Sequence, residues 1–556
     1  MPKSRGADLL AACLAAEGVK RVFTLSGNHV MPVFDAALDA GIELIHVRHE
    51  GAAVHMADAW ARLTGEVGVA LVTGGPGHAN AVGALYTAAM AESPVVLLSG
   101  HAPLNELGMA AFQEMRQAEI AAPVTKASGG CSKADDIGRD FTHAVRVAMS
   151  GRPGPVHLSL PTDMLEATVA PAKESVAPAK ESVAPGATVA AKESVAPGAA
   201  AAAMDRGPIF MDFVTALTKS TRPLILCGPS CMRRAGRELM SRLEAASGIP
   251  VIGMESPRGV GDPSLGAFAQ MLAQADCVLL VGKRIDFTLK FGRAFAERCE
   301  FLQIDPEHSE HERSRRAVGG RLKATARAEA IAALEALARA FTKPSASGWR
   351  DEVRAAIAHR PAEWDHAVAA APGRLHPVQA LRPLQAILDE HPDSVFVSDG
   401  GEFGQWAQAC LTAPHRVING VAGSIGAALP FALAARLAQP QAPVIAVMGD
   451  GTFGFHPAEI DTAVRYRLPF VAVVGNDARW NAEYQIQLRD YGRDRLIGCE
   501  LLPTRYDQVA TGFGGHGELV TTAQQLLPAV RRAMRLDLPA VLNVMIEGVP
   551  APNVRR

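Results

Sequence analysis

The sequence lacks the features that would point to a membrane, a nucleic-acid partner or an oxidising compartment. No apolar run approaches the roughly 20 residues that a membrane-crossing helix needs. Charge of one sign is also missing. The 55 Lys and Arg nearly balance the 57 Asp and Glu, leaving a formal net charge of −2. No basic field therefore points to nucleic acid or to an acidic lipid surface. The eight cysteines are scattered, with no CxxC pair and no metal-ligand spacing. That pattern suits reduced thiols in a cytoplasmic protein, not a disulfide framework. The start, MPKSRGADLL, carries Asp8, and Glu17 soon follows, so no signal peptide is expected.

What is present is ordinary globular material. Of 556 residues, 48% are hydrophobic and 20% charged. A chain of that length accommodates about three or four domains. The clearest boundary is compositional. Residues 168–204 are almost entirely Ala, Pro, Val, Lys, Glu, Ser and Gly, and KESVAP begins at Lys173, Lys180 and Lys192. The stretch is too short, too polar and too irregular for a solenoid and reads as a semi-extended linker.

On either side, helical patterns alternate with short apolar runs that end in Gly or Pro. In 1–167 these are VFTLSG, IELIHV, VGVALVTGG, PVVLLSG and PVHLSLP. In 205–343 they are PLILCG, IPVIGM, CVLLVG and EFLQIDP. In 375–556 they are SVFVSDG, RVINGVAG, VIAVMGDG, FVAVVGND and AVLNVMIEG. This is the grammar of parallel sheets with crossover helices. The expectation is three doubly wound α/β blocks, with 344–374 as a helical connector.

Gly449-Asp450-Gly451-Thr452 follows the strand run VIAVM. A strand ending in a Gly-rich turn brings backbone N–H groups and a carboxylate to the carboxyl edge of a sheet, where α/β proteins bind ligands and where N–H groups favour anions. By itself the tripeptide reads first as an ordinary strand–turn–helix junction. A second acid changes the weight. Asp477, in Gly475-Asn476-Asp477-Ala478-Arg479, lies 27 positions after Asp450. One β–α–β crossover of that length returns the chain to a neighbouring strand end. Two hard oxygen ligands there suit Mg²⁺, which takes its remaining ligands from phosphate and water. Solvated surface charge is the alternative.

With these residues in view, the chain resembles the thiamine-diphosphate enzymes over almost its whole length, the linker excepted. It is nearest to the acetolactate synthase, benzaldehyde lyase and 2-hydroxyacyl-CoA lyase branches. The resemblance implies an N-terminal pyrimidine-binding domain, a middle domain and a C-terminal diphosphate-binding domain. It implies that Asp450, the side chain of Asp477 and the backbone carbonyl of Arg479 hold Mg²⁺, with Gly449, Gly451 and Thr452 against the diphosphate. His49-Glu50-Gly51-Ala52-Ala53 is similar to the family's motif whose Glu bonds N1′ of the aminopyrimidine, so Glu50 takes that role. Gly423-Ser424-Ile425-Gly426 is similar to the segment beneath the thiazolium. Ile425 is its bulky wedge, and the Gly423 carbonyl accepts from the 4′-amino group. Gly401-Glu402-Phe403 resembles a loop that touches the diphosphate. Phe112-Gln113-Glu114 is similar to a substrate-pocket motif, and His29 stands where benzaldehyde lyases also have a His near the substrate. A lone His is as readily structural. The implied activity makes or cleaves C–C bonds next to a carbonyl of a small-molecule substrate. The implied assembly is a homodimer or homotetramer with active sites at the subunit interface.

Three departures matter. The family usually has Asn where this chain has Asp477. Acetolactate synthases carry Gln-Trp where this chain has Gln485-Ile486. The middle block lacks the longer segment that holds FAD, so no tightly bound flavin is expected. The segment Val281-Gly282-Lys283-Arg284-Ile285-Asp286-Phe287 resembles 2-hydroxyacyl-CoA lyases and oxalyl-CoA decarboxylases, which keeps an acyl-CoA substrate open. Lys283 and Arg284 themselves read as solvated surface.

Overall fold

The computed structural model describes residues 4–169, 208–344 and 348–556. The segment expected as a linker at 168–204 lies outside these, apart from Thr168 and Val169. The chain divides into two compact units, Met1–Ser194 and Val195–Arg556. Among the described residues no helix is long and apolar enough to cross a membrane.

The first unit holds one six-stranded parallel sheet. Its strands are β1 (Arg21–Thr24), β2 (Glu43–His46), β3 (Gly68–Val72), β4 (Val95–His101), β5 (Ala127–Gly130) and β6 (Val156–Pro161). Their order is β2-β1-β3-β4-β6-β5. The central strands are apolar runs buried along their whole length, as GVALV of β3 shows. Only a sheet covered by helices on both faces can bury such strands. The helix Glu50–Thr64 and the helix Pro76–Met90 supply part of that cover.

The second unit holds two parallel sheets. The middle one has β7 (Pro223–Cys227), β8 (Val251–Gly253), β9 (Cys277–Val281), β10 (Glu300–Ile304) and β11 (Leu322–Ala326), in the order β11-β10-β9-β7-β8. The C-terminal one has β12 (Val395–Ser398), β13 (His415–Ile418), β14 (Val444–Gly449), β15 (Val471–Asn476), β16 (His516–Val520) and β17 (Ala540–Met545), in the order β13-β12-β14-β15-β17-β16. Three α/β sheets are thus present, as the strand runs predict. Residues 348–374 are a tied-down segment. Trp349, which opens the helix Trp349–Ala358, is buried in the middle core, and its indole N–H donates to the carbonyl of Pro223 at 2.9 Å. Trp364 is buried in the C-terminal core.

One expectation in the middle sheet is corrected. Lys283 is not solvated surface. It is 2% exposed, and its Nζ donates to Thr288 Oγ1 at 2.6 Å with Asp286 Oδ1 at 3.4 Å. Arg284 is mostly covered as well and pairs with the buried Glu310 at 3.1 Å. A buried ammonium needs partners of this kind, and a sequence window does not reveal them.

Candidate functional site

In the first and third sheets the connections leave two neighbouring strands in opposite directions between β1 and β3, and between β12 and β14. Crevices at such switch points, outside the carboxyl ends of the strands, are where open α/β sheets bind ligands. The residues singled out from the sequence fall into two groups, one around each crevice.

In the first unit the group surrounds the turn Gly74-Gly75-Pro76 that follows β3. Glu50 is the first residue of the helix Glu50–Thr64, whose N-cap residue His49 accepts the Gly51 N–H on its imidazole at 3.0 Å. The Glu50 side chain is 8% exposed. Its Oε2 accepts from Asn80 Nδ2 at 3.0 Å, while Oε1 has no partner among the described residues. Gly77 brings the next helix close: a Cβ there would lie 3.3 Å from Glu50 Oε1 and 2.7 Å from Thr73 Cγ2. His29 is buried, with Nδ1 3.1 Å from Thr73 Oγ1 and its ring stacked on Phe112 at 5.9 Å between centroids. Burial holds its imidazole below the usual histidine range. Gln113 has a left-handed backbone, φ 58°, in contact with the turn, and a Cβ on Gly75 would lie 2.8 Å from that of Gln113. Gln113 also lines a cleft of about 870 Å³ with His101, Gln117 and Ser159. The sequence-predicted Glu50, His29 and Gln113 are therefore brought to one turn. Asn80, Thr73 and Gln117 were missed. Gln117 accepts the Gly75 N–H at 2.9 Å and donates to Gly100 O at 3.1 Å.

In the second unit, β14 and β15 are neighbours with Gly449 opposite Gly475. Asp450 and Asp477 therefore leave the same sheet edge. Asp450 is 2% exposed, and its Oδ1 accepts the Gly451 N–H at 2.9 Å. Its Oδ2 is buried without any hydrogen-bond partner. Burial raises the Asp450 carboxyl to about 6, against the pull of nearby backbone N–H groups. Asp477 is raised to about 7, first by burial and then by the Asp450 charge, with Arg479 opposing. Two buried acids, the first of which pushes the second toward protonation while carrying an orphaned oxygen of its own, form a cradle that a cation would relieve. Among the described residues no three His, Cys, Asp or Glu side chains could hold a metal together. A cation here would draw on the two carboxylates, a backbone oxygen and non-protein oxygens, which fits the donor set expected for Mg²⁺.

The turn after β15 is held by a residue the sequence reading passed over. Asn476 Oδ1 accepts the N–H of Ala478, whose φ is 59°, at 3.2 Å. Its Nδ2 donates to Thr504 O at 2.9 Å and Asn543 Oδ1 at 3.0 Å. Arg479 lays its guanidinium 4.2 Å from the Tyr484 ring centre. Gln485 donates to Asn481 Oδ1 at 3.0 Å, and Ile486, where acetolactate synthases carry Trp, is exposed.

The other predicted residues collect at the same edge. Gly401, Glu402 and Phe403 open the helix Gly401–Cys410. Glu402 faces Arg258 at 3.4 Å, and Phe403 packs on Gly475, which has no room for a side chain. Thr452 is buried, and the Trp480 ring would lie 2.7 Å from a Cβ on Gly451. Gly423 has φ 70°, and Ile425 Cγ2 would lie 2.6 Å from a Cβ on Gly400. Joining these two loops is Asp399, fully buried and also missed from the sequence.

Comparison with known proteins agrees with this architecture. The families described as thiamine pyrophosphate enzyme N-terminal TPP binding domain, central domain and C-terminal TPP binding domain match residues 4–120, 211–337 and 399–544. The chain is 32% identical over 550 residues to a probable acetolactate synthase of Mycobacterium bovis, covering 97% of this chain and 95% of that one. It is 30% identical over 584 residues to human 2-hydroxyacyl-CoA lyase 2, covering 97% and 90%. The fold is similar to that of a thiamine diphosphate-dependent 4-hydroxybenzoylformate decarboxylase of Rhodococcus jostii, with a TM-score of 0.79 and 22% identity over 98% of this chain and 100% of that one. With a group of candidate residues at the switch point of each of two like sheets and matches that run through all three, the chain belongs to the thiamine pyrophosphate enzymes, in the branch of acetolactate synthases and 2-hydroxyacyl-CoA lyases.

Proposed function

We propose that this protein is a thiamine-diphosphate- and Mg²⁺-dependent carboligase or lyase that makes or cleaves C–C bonds next to a carbonyl, by decarboxylating 2-oxo acids with ligation or by cleaving 2-hydroxy ketones. The observation that carries the reading is the Asp450–Asp477 pair, buried and with one oxygen unpartnered at a ligand-binding sheet edge. Asp450, Asp477 and the Arg479 carbonyl would hold Mg²⁺ and through it the diphosphate. Gly449, Gly451 and Thr452 would line the same anion site, with Gly401, Glu402 and Phe403 beside it. Gly423 and Ile425 would seat the rings.

When bound, the cofactor supplies a stabilised carbanion at its thiazolium. The protein's part is to position groups and protons. Glu50 would hold a proton against the aminopyrimidine with Oε1, while Asn80 fixes its other oxygen. His29, kept neutral by burial, would act as a hydrogen-bond partner for a substrate oxygen and not as a standing charge. Gln113 would present its amide from the Gly75 turn. The assembly proposed is a homodimer or homotetramer, which sedimentation of the purified protein would establish.

A second reading is a 2-hydroxyacyl-CoA lyase or an oxalyl-CoA decarboxylase-like enzyme. It is favoured by the likeness to human 2-hydroxyacyl-CoA lyase 2 and by the middle-sheet loop that presents exposed Phe287 and Phe291 next to buried Lys283. A regulator that binds cofactor without turnover is disfavoured by the retention of Glu50, Asp450 and Gln113. The test incubates the protein with Mg²⁺ and thiamine diphosphate and follows pyruvate, benzoylformate, benzoin and a 2-hydroxyacyl-CoA by NMR. Cofactor-dependent loss of a CoA-free donor supports the first reading. Loss of the thioester alone selects the second. Cofactor binding without loss of any donor counts against both.

A further inference from the structure

Asp399 stands immediately after β12, at the switch point of the C-terminal sheet. Its carboxylate is fully buried, and no cation is paired with it among the described residues. Three backbone N–H groups satisfy it instead. Oδ1 accepts from Gly400 at 2.6 Å. Oδ2 accepts from Gly426 at 3.0 Å and from Ala428 at 2.9 Å. The first donor belongs to the loop that leads into the helix Gly401–Cys410. The other two belong to the segment that carries Ile425. One side chain therefore ties together the two backbone segments proposed to touch the cofactor at its diphosphate and beneath its thiazolium.

The surroundings leave the two segments little freedom to move apart or together. Ile425 lies against Gly400, and a Cβ there would come within 2.6 Å of Ile425 Cγ2, so a larger residue at 400 would force the wedge to shift. Asn419 Nδ2 donates to Ser424 O at 3.1 Å, and His456 Nδ1 meets Gly426 O at 2.7 Å, holding the Ile425 segment from its other sides. Ser398 Oγ donates to the Gly404 carbonyl at 3.2 Å, anchoring the first turn of the helix. A buried carboxylate is costly unless its lone pairs are used. Its charge strengthens the three bonds in return. A neutral side chain of the same size could not accept all three, and the segments would lose their common anchor.

We propose that Asp399 is a positioning residue that sets the spacing between the Gly400–Gly401 loop and the Ile425 wedge, so that the cofactor meets a site already in its bound shape. This rests on the thiamine-diphosphate reading above. It implies that the carboxylate acts through Ile425 and not by touching the cofactor.

The test titrates the full-length wild type, Asp399→Asn, Ile425→Ala and the double variant with thiamine diphosphate at saturating Mg²⁺. Binding is read by tryptophan fluorescence, since Trp480 packs on Gly451, and by the near-ultraviolet circular dichroism of the bound aminopyrimidine. Asp399→Asn is expected to raise the apparent Kd at least ~10-fold, because it loses bonds to a charged acceptor and turns an amide N–H₂ toward a donor. The dichroism at saturation should shrink, and the double variant should lose less than the product of the single losses. An unchanged Kd and dichroism in a folded Asp399→Asn protein, or fully multiplicative losses, would overturn the proposal while leaving the cofactor reading intact. A wild type that binds no thiamine diphosphate would overturn both. Where Asp399→Asn does not fold, hydrogen exchange on the cofactor-free wild type decides. The amides of Gly400, Gly426 and Ala428 should be protected without cofactor, and exchange at the rate of open loops refutes the pre-formed spacing.

Discussion

The Asp450–Asp477 pair makes a prediction about stability that needs no substrate. An Asp whose native carboxyl is raised from 3.8 to about 7 binds its proton more tightly in the folded than in the unfolded chain. Between those two values the unfolded state is ionised and the native state is protonated, so stability falls as pH rises and levels off above about 7. At roughly 1.4 kcal/mol per pH unit, the metal-free protein at pH 8 carries a penalty of about 4 kcal/mol from Asp477, and at pH 5 of about 2 kcal/mol. Asp477→Asn keeps the shape and removes the charge. Without metal the variant should therefore be more stable than wild type at pH 8, and that advantage should shrink by about 2 kcal/mol at pH 5. Urea unfolding in the presence of a chelator, followed by tryptophan fluorescence at both pH values, measures this. Mg²⁺ at about 100 times its Kd should then stabilise the wild type by about 2.7 kcal/mol and close much of the gap at pH 8. Equal stability of the two metal-free proteins at pH 8, or a gap that does not change with pH, would show that the two acids are not held together in the way described.

Other substitutions separate the roles of the two groups of residues. Glu50→Ala should fold and bind thiamine diphosphate yet lose at least ~100-fold in steady-state rate, the scale of an acid–base group; an unaltered rate would remove Glu50 from the chemistry. Asp450→Ala should weaken Mg²⁺-dependent cofactor binding in a calorimetric titration, and an unaltered affinity would argue against the metal site. Gly75→Ala forces a side chain into a backbone at φ 58° and against Gln113, so it should cost about 1–3 kcal/mol in thermal unfolding and lower kcat/KM. Lys283→Met leaves Asp286 and Thr288 without their buried donor and should cost about 1–3 kcal/mol, measured by urea unfolding, with the C-terminal site unaffected.

The strands were legible because a doubly covered sheet demands unbroken apolar runs, and VIAVM or PVVLL can satisfy little else. Asp450 and Asp477 were legible as a pair because one crossover has a narrow range of lengths. What the sequence withheld are the partners. Asn80 looks like any polar residue on a helix surface until the helix Pro76–Met90 is packed beside Glu50. Asp399 sits in SDGG, a string that promises only a turn, and its three donors come from positions 1, 27 and 29 residues further on. Lys283 illustrates the same limit from the other side. Local composition called it solvated, and only the fold of Asp286 and Thr288 around it makes its burial tolerable. Patterns of period and spacing survive in a string of letters, whereas hydrogen-bond partners distant in sequence do not.

The two binding sheets show how one topology supports different chemistry. Renumbered from their first strands, both read 2-1-3-4-6-5. In both, the site draws on the loops that follow the same strands. His29 follows the first strand of its sheet, and Asp399 and Gly401 follow the first strand of theirs. Glu50 follows the second, as does Ile425. Thr73 and Gly75 follow the third, as does Asp450. The order of strands around the two crevices is thus shared, and the difference lies in what is placed there. The first unit sets a single carboxylate in reach of an amide and leaves one oxygen open, an arrangement suited to exchanging a proton with a neutral heterocycle. The second sets two carboxylates side by side where neither can relax, an arrangement suited to a divalent cation and the phosphates it carries. A charge added to the first crevice or removed from the second would change the ligand without disturbing the sheet. The proposed function therefore rests on residues at strand ends, and the Asp477→Asn and Glu50→Ala variants each probe one crevice while leaving the strand order in place.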